Sequence, residues 1–523
     1  MKNRVFPFLV LLLLAFIIFW LRLFWLQIIK GKEYRRLAEG NRIQIVKIPA
    51  LRGIVYDRNN YPLVRNRPEG REYIYGPALA HVLGYIGEIS QEEFKDNSNR
   101  NIGDLVGKMG IEQQYDKLIC GKDGGILVET NAAGEIVREI KREDPKEGSN
   151  LTLTLDKGLQ QKAFSLLKDE KAVIIASKPQ TGEILALVSS PSFDPNLFTL
   201  SSVPGSELRL RSGNEIPKIL NDPDQPMFNR AISGLYPPGS VFKIVTVIAG
   251  LEEEKINQST LVEDTGEIKV GRFTYGNWYF RQYGKTEGMV DILKAIQRSN
   301  DIYFYKVGEW LGITKLMEWA KYFGLGQATG IDLSGEAAGL IPTPEWKKKH
   351  KLEDWYLGDT YITAIGQGDL QLTPLQVNQL ASVVASDGQL CQPHLLKEFK
   401  DSCQELKIKP ENLSLLKEGM KKACEEGGTG WPLVKFKVQN KKLKVDERLN
   451  PLEGEWVEIP TGCKTGSAEY GDPQNKTHAW FTVFAPWKDP EIVVTVLVEA
   501  GGEGSSVAGP IARDLLKYYF EEK

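Results

Sequence analysis

The chain has 523 residues, with 66 basic against 68 acidic side chains for a net charge of −2. That balance leaves no global basic face for nucleic acid, and five cysteines without a C-x-x-C pair, with four scattered histidines, argue against a metal site. The length allows three or four domains, and an odd cysteine count makes a poor disulfide framework that leaves any pairing open.

From Val5 to Leu21 the sequence VFPFLVLLLLAFIIFWL is uncharged and apolar, and after Arg22 it resumes as LFWL. This is long enough to span a bilayer if Arg22 snorkels to the interface, with Trp20 and Trp25 in the interfacial belt. No small-x-small cleavage site follows, so an uncleaved anchor is favoured over a signal peptide. Next, IQIVKI (43–48) alternates like a strand, and a mixed, glycine-punctuated stretch runs to about Glu147. KREDPKEGSN (141–150) has the charge and turn residues of a boundary.

Beyond it, LTLTLD predicts a strand and LQQKAFSLLKDEK a helix; AVIIAS and EILALVSS predict two strands joined by KPQTG as a hairpin. Helical patterns cover 302–323, 374–386 and 411–425. AWFTVFA and EIVVTVLVEA then read as strands, with a last helix from about Ala508. Strands at both ends with helices between predict an α/β domain whose sheet brings its two ends together.

Three Ser-x-x-Lys patterns occur, and the pattern alone proves nothing. Ser165 with Lys168 and Ser414 with Lys417 lie in amphipathic helices, where a solvated face explains them. Ser240 with Lys243 differs: LYPPGSVFK places a restricted Pro-Pro-Gly turn before the serine and an apolar helix after it. Positions three apart share a helix face, and a lysine of lowered pKa can take a serine's proton. Two later motifs complete an ordered trio, Ser299-Asn300-Asp301 and Lys464-Thr465-Gly466-Ser467.

Each part has a chemical job in acyl transfer. Ser240 is the candidate nucleophile and Lys243 its base. Ser299 relays a proton to the leaving nitrogen, and Lys464 is a second cation that depresses the Lys243 pKa and attracts an anionic terminus. Thr465 and Ser467 offer hydroxyls to a carboxylate, and Gly466 clears the strand for close approach. The Ser240 and Ser467 N–H groups are oxyanion donors if the strand lies against the helix start.

With RGIVYDRNN, GKMGIEQQYDKLICGKDG, LTLTLDKGLQ, TGEILALVSSPSFDPN, IGQGDLQLTPLQ and HAWFTVFAP, the trio resembles the class B penicillin-binding proteins over nearly the full length. The resemblance implies an α/β (α+β) fold: anchor at 1–29, non-catalytic pedestal at 30–147, and a transpeptidase domain at 148–523 with a five-stranded antiparallel sheet flanked by helices. It implies a cytoplasmic N-terminus, domains outside the inner membrane, no cofactor, and peptidoglycan stem peptides and β-lactams as ligands. Asp301 stands where most of the family has Asn, and with WYLGDTYITAIGQG and GLIPTPEWK this is similar to the elongation-type members. A carboxylate there favours a charged Lys243. The implied partners are a polytopic glycosyltransferase of the shape, elongation, division and sporulation family and rod-shape scaffold proteins.

The competing readings are a division-type transpeptidase, a β-lactamase and a non-catalytic scaffold. A β-lactamase needs a water-activating glutamate, and Asp446-Glu447-Arg448-Leu449-Asn450 is a near match, but it begins only 18 residues before Lys464 and reads as a charged loop. Cys463 reads as a small packing residue, and His478 as a packing or capping group at a strand entry. The aromatic run YGNWYFRQYG (275–284) fits a groove lining or a partly buried loop.

Overall fold

From Phe6 to Ile29 a 24-residue helical stretch of mean hydropathy 2.6 exposes apolar side chains all round. Helix α1 (Val5–Phe24) passes into a π-helical turn at Trp25–Ile29. At 1.5 Å per residue it spans about 36 Å, enough to cross a bilayer. Arg22 lies 4.7 Å from the Trp25 ring centroid, a cation–π contact that gives the one charge of this stretch an aromatic partner. This computed structural model describes residues 5–68, 70–96, 100, 102–131, 135–168, 170–199, 207–400, 402–439, 456–472 and 474–522.

Two units follow from the chain path. The first comprises Met1–Gly53 and Lys117–Ser149. Its strands β1 (Ile43–Ile48), β2 (Gly124–Thr130) and β3 (Ile136–Glu143) form an antiparallel sheet in that order, with Ile45, Ile136 and Val137 exposed.

The second unit comprises Ile54–Asp116 and Asn150–Lys523. Here LTLTLD contributes strand only at Leu151–Thr152, paired in parallel with Val55–Tyr56, because its remaining residues lead into the cap of helix α2 (Lys157–Leu167). The Asp156 carboxylate accepts the Leu159 N–H at 3.0 Å and starts that helix. The main sheet contains β4 (Ala172–Ser177), β5 (Ile184–Ser190), β6 (Gly462–Glu469), β7 (Thr477–Ala485) and β8 (Ile492–Val498), in the order β5-β4-β8-β7-β6, all antiparallel. Strands separated by more than 270 residues thus pair at its centre. Both faces of β4 and β8 are covered, which explains their continuous apolar runs.

One face packs on α2 and the C-terminal helix (Ala508–Glu522). The buried helix α3 (Lys243–Glu252) follows the Pro-Pro-Gly turn. The periodic stretch 302–323 is two helices, Asp301–Leu311 and Ile313–Tyr322, broken at Gly312. The cysteine expectations need correcting. Cys391 bonds Cys403 and Cys424 bonds Cys463, leaving Cys120 free. Cys463 is therefore a crosslink and not a packing residue, a pairing that depends on helix Pro410–Ala423 delivering Cys424 to β6.

Candidate active site

The site forms where three chain segments meet. Pro237 and Pro238 lead into a 3-10 turn at Gly239–Phe242, and α3 starts at Lys243. Gly239 has φ +55°, and a methyl there would stand 3.1 Å from Ser467 O, so turn and strand β6 touch. On the strand side, a methyl at Gly466 would stand 3.0 Å from Trp480 Cβ and 3.1 Å from Pro238 O. The buried Trp480 indole donates to Pro237 O at 3.0 Å, pinning the turn to β7. The strand lies against the helix start, as the oxyanion reading of the Ser240 and Ser467 N–H groups requires.

Ser299 ends helix Ile292–Arg298 in the left-handed region, φ +52°, which costs a non-glycine residue about 1–2 kcal/mol. Asn300 then caps the next helix by accepting the Tyr303 N–H at 3.0 Å. This sharp reversal presents the Ser299 hydroxyl to both lysines: Lys464 Nζ donates at 2.9 Å and Lys243 Nζ at 3.2 Å. Lys243 also donates to Ser299 O at 2.8 Å and to Asp301 Oδ1 at 2.6 Å. Its three N–H bonds are thereby used, and among the described residues Lys243 makes no hydrogen bond to Ser240.

Both lysines are 1% exposed. Burial pushes Lys243 below its ordinary pKa, while Asp301 opposes that shift. Lys464 is held well below the ordinary value, by burial first and then by Lys243. The expected influence thus runs chiefly the other way: Lys243 discourages a charge on Lys464, because Asp301 contacts Lys243 and not Lys464. Lys243 has an acceptor for each of its three N–H bonds, and Lys464 donates to Thr465 O at 3.0 Å as well as to Ser299 Oγ.

A groove of about 540 Å³ opens over Ser240, with Ser299, Asp301, Thr465, Gly466 and Ser467 on its walls. Ser467 is exposed on β6, and Thr465 Oγ1 donates to Thr429 Oγ1 at 2.9 Å. The eight candidate residues, Ser240, Lys243, Ser299, Asp301, Lys464, Thr465, Gly466 and Ser467, converge on one place. Thr429 and Ser505 also line the groove, and Ser505 Oγ donates to Thr429 O at 2.7 Å. No motif marked these two in the sequence, since loops carry them to the site. Of the aromatic run, Gly276, Trp278, Arg281 and Gln282 form a wall of the groove, which favours the lining reading.

Ser165 donates to Lys162 O within its own helix, as a solvated-face residue does. His478 stacks on Tyr470 at 4.2 Å and accepts the Ala500 N–H, a packing role in which burial holds its pKa down. Glu447 and its neighbours lie outside the described residues.

Residues 172–517 match the penicillin binding protein transpeptidase domain, and 69–153 the penicillin-binding protein dimerisation domain. The chain is 33% identical to the peptidoglycan D,D-transpeptidase MrdA of Haemophilus influenzae, over 88% of this chain and 71% of that protein. Against the protein of that name from Escherichia coli, identity is 29% over 95% and 90%. Among solved structures it resembles the penicillin-binding protein PBP2 in complex with MreC from Helicobacter pylori: TM-score 0.77, 27% identity, 91% of this chain and 98% of that one. A structure described as coordination of polymerization and crosslinking by a peptidoglycan synthase complex matches with TM-score 0.76 and 27% identity over 99% of both chains.

Proposed function

From the premise that this chain belongs to the class B penicillin-binding proteins, as an elongation-type peptidoglycan D,D-transpeptidase, we propose that Ser240 is its acylated nucleophile and that the Lys243–Ser299–Lys464 relay drives it. The observation that carries this reading is the Ser299 hydroxyl held between two buried amines beside the Ser240 turn.

In the resting site Lys243 keeps the proton beside Asp301 and Lys464 is neutral. An anionic stem-peptide terminus binding at Thr465 and Ser467 favours the charged form of Lys464. Ser299 then passes its own proton to Lys464 and takes one from Lys243, leaving Lys243 a neutral base. The Ser240 oxygen attacks the penultimate D-Ala carbonyl as its proton goes to Lys243. The tetrahedral oxyanion is met by the Ser240 and Ser467 N–H groups. Collapse breaks the amide bond, the departing D-Ala nitrogen takes a proton through Ser299, and an ester remains on Ser240. A neighbouring stem's amine attacks that ester, loses its proton to the same relay and regenerates the serine. β-Lactams enter by the same first step and stay as the ester.

The stretch at 30–147 serves as the non-catalytic pedestal and 148–523 as the catalytic domain. With the apolar N-terminal helix as a single-pass anchor, the short tip lies in the cytoplasm and the rest outside. One structural relative is in complex with MreC and another belongs to a peptidoglycan synthase complex, which supports a glycosyltransferase and rod-shape scaffold proteins as the partners of this chain. The test is incubation of the purified protein and its Ser240→Ala variant with a fluorescent penicillin, followed on denaturing gels. A stable adduct on the parent and none on the variant is expected. Rapid release of hydrolysed drug, or equal labelling of the variant, refutes the assignment.

A further inference from the structure

Beside the acyl-transfer groups lies a buried carboxylate that the chemistry above does not use. Asp264, 3% exposed, ends the short strand Val262–Asp264 and accepts four hydrogen bonds. Gly266 N–H donates to Oδ1 at 2.9 Å. Asn277 Nδ2 at 2.9 Å, Asn300 Nδ2 at 2.9 Å and Glu287 N–H at 3.0 Å all converge on Oδ2. Every one of these donors is uncharged. A buried carboxylate is expensive to desolvate, and here dense hydrogen bonding offsets that cost.

The donors share a destination. Asn277 Oδ1 accepts the Asp301 N–H at 3.2 Å, and the next residue, Trp278, donates its N–H to Asp301 Oδ2 at 2.9 Å. Asn300 begins the helix whose first residue is Asp301. With its backbone and one oxygen held from the 277–278 side, Asp301 has its other oxygen, Oδ1, at Lys243. The Trp278 indole also donates to Arg298 O at 3.0 Å, so the groove wall and the Ser299 reversal are tied at the same place. Glu287 faces the knot as well, paired with Arg298.

We propose that Asp264 is a positioning residue for acyl transfer: by fixing Asn277 and Asn300 it holds Asp301 in the orientation that presents Oδ1 to Lys243 and keeps the Trp278 wall on the groove. The carboxylate is needed because an asparagine oxygen accepts about two bonds where four are made, and its NH2 would face N–H donors. The inference rests on the transpeptidase reading above.

The test follows acylation of the full-length, detergent-solubilised protein by a fluorescent penicillin from about pH 5 to about pH 9, comparing the parent with Asp264→Asn and Asn277→Ala. The charged groups that bear on Lys243, namely Asp301 and Lys464, are retained in both variants, as are Glu287 and Arg298 at the knot. Both variants are expected to acylate at least tenfold more slowly on the plateau. The acid limb of their rate profile should also move to lower pH, because a loosened Asp301 holds the Lys243 proton less firmly. A merely structural role lowers the fraction of protein that labels and leaves the limb in place; that result, or unchanged rate constants, overturns the proposal. If Asp264→Asn fails to fold, Asn277→Ala, which leaves Asp264 three donors, carries the same test. An unlabelled parent would instead refute the underlying transpeptidase reading.

Discussion

Asp301→Asn removes one charge from the buried pair at the centre of the site with almost no change of shape. The pair is 2.6 Å apart, with side chains 1% and 9% exposed, so little solvent screens it. Removing one partner of such a pair costs about 3–5 kcal/mol when the other must stay charged. Lys243 can escape by losing its proton. From an ordinary lysine value of 10.5, deprotonation at pH 7 costs about 1.4 kcal/mol per unit over roughly 3.5 units, so the penalty is capped near 5 kcal/mol. About 1–3 kcal/mol of the loss is independent of pH if the new amide leaves the Trp278 N–H without its acceptor.

The sign with pH follows from proton uptake. Folded Lys243 already lies below its unfolded pKa and falls further in the variant. Between the folded value and the ordinary lysine value the unfolded chain therefore binds more protons, and stability rises with pH. The deficit of Asp301→Asn against the parent should be largest near pH 7 and shrink toward pH 10 in thermal melts. The acid limb of penicillin acylation should shift downward by about one unit or more. A deficit equal at both pH values, with an unmoved acid limb, would show that Asp301 does not hold the Lys243 proton.

Gly466→Ala should slow acylation by about 100-fold with the fold retained, since a methyl there meets Trp480 and Pro238 and pushes β6 from the serine turn; time courses with fluorescent penicillin read this, and an undiminished rate would mean that the turn and strand need no close approach. Cys424→Ser combined with Cys463→Ala should cost about 4 kcal/mol, the chain-entropy figure for a loop of 39 residues. Non-reducing melts check it, and an unchanged melting temperature would argue against the crosslink.

Much of the site was legible in the sequence because its chemistry sits in short local words. Ser240 and Lys243 are joined by one helical turn, Ser299 and Asp301 by one helix reversal, and Lys464 to Ser467 by one strand, so residue type and spacing carry the function of each word. The apolar N-terminal helix and the strands of the main sheet were legible for a similar reason: hydrophobic patterning is a local property of the chain. The break at Gly312 and the brevity of the strand at Leu151 were less so, since a helical period continues across a glycine and strand pairing depends on a distant partner.

What only the tertiary structure decided is how the words face one another. Pairing β4 with β8 across more than 270 residues closes the sheet and brings β6 against the Pro-Pro-Gly turn. That closure puts Lys464 within hydrogen-bond reach of Ser299, directs the Lys243 ammonium to Asp301, and holds the Lys464 pKa well below the ordinary lysine value. Thr429, the Cys424–Cys463 crosslink and the Asp264 knot have no local signature at all. Each depends on segments far apart in the chain meeting in a water-excluded interior, where a buried polar group must find its partner through space.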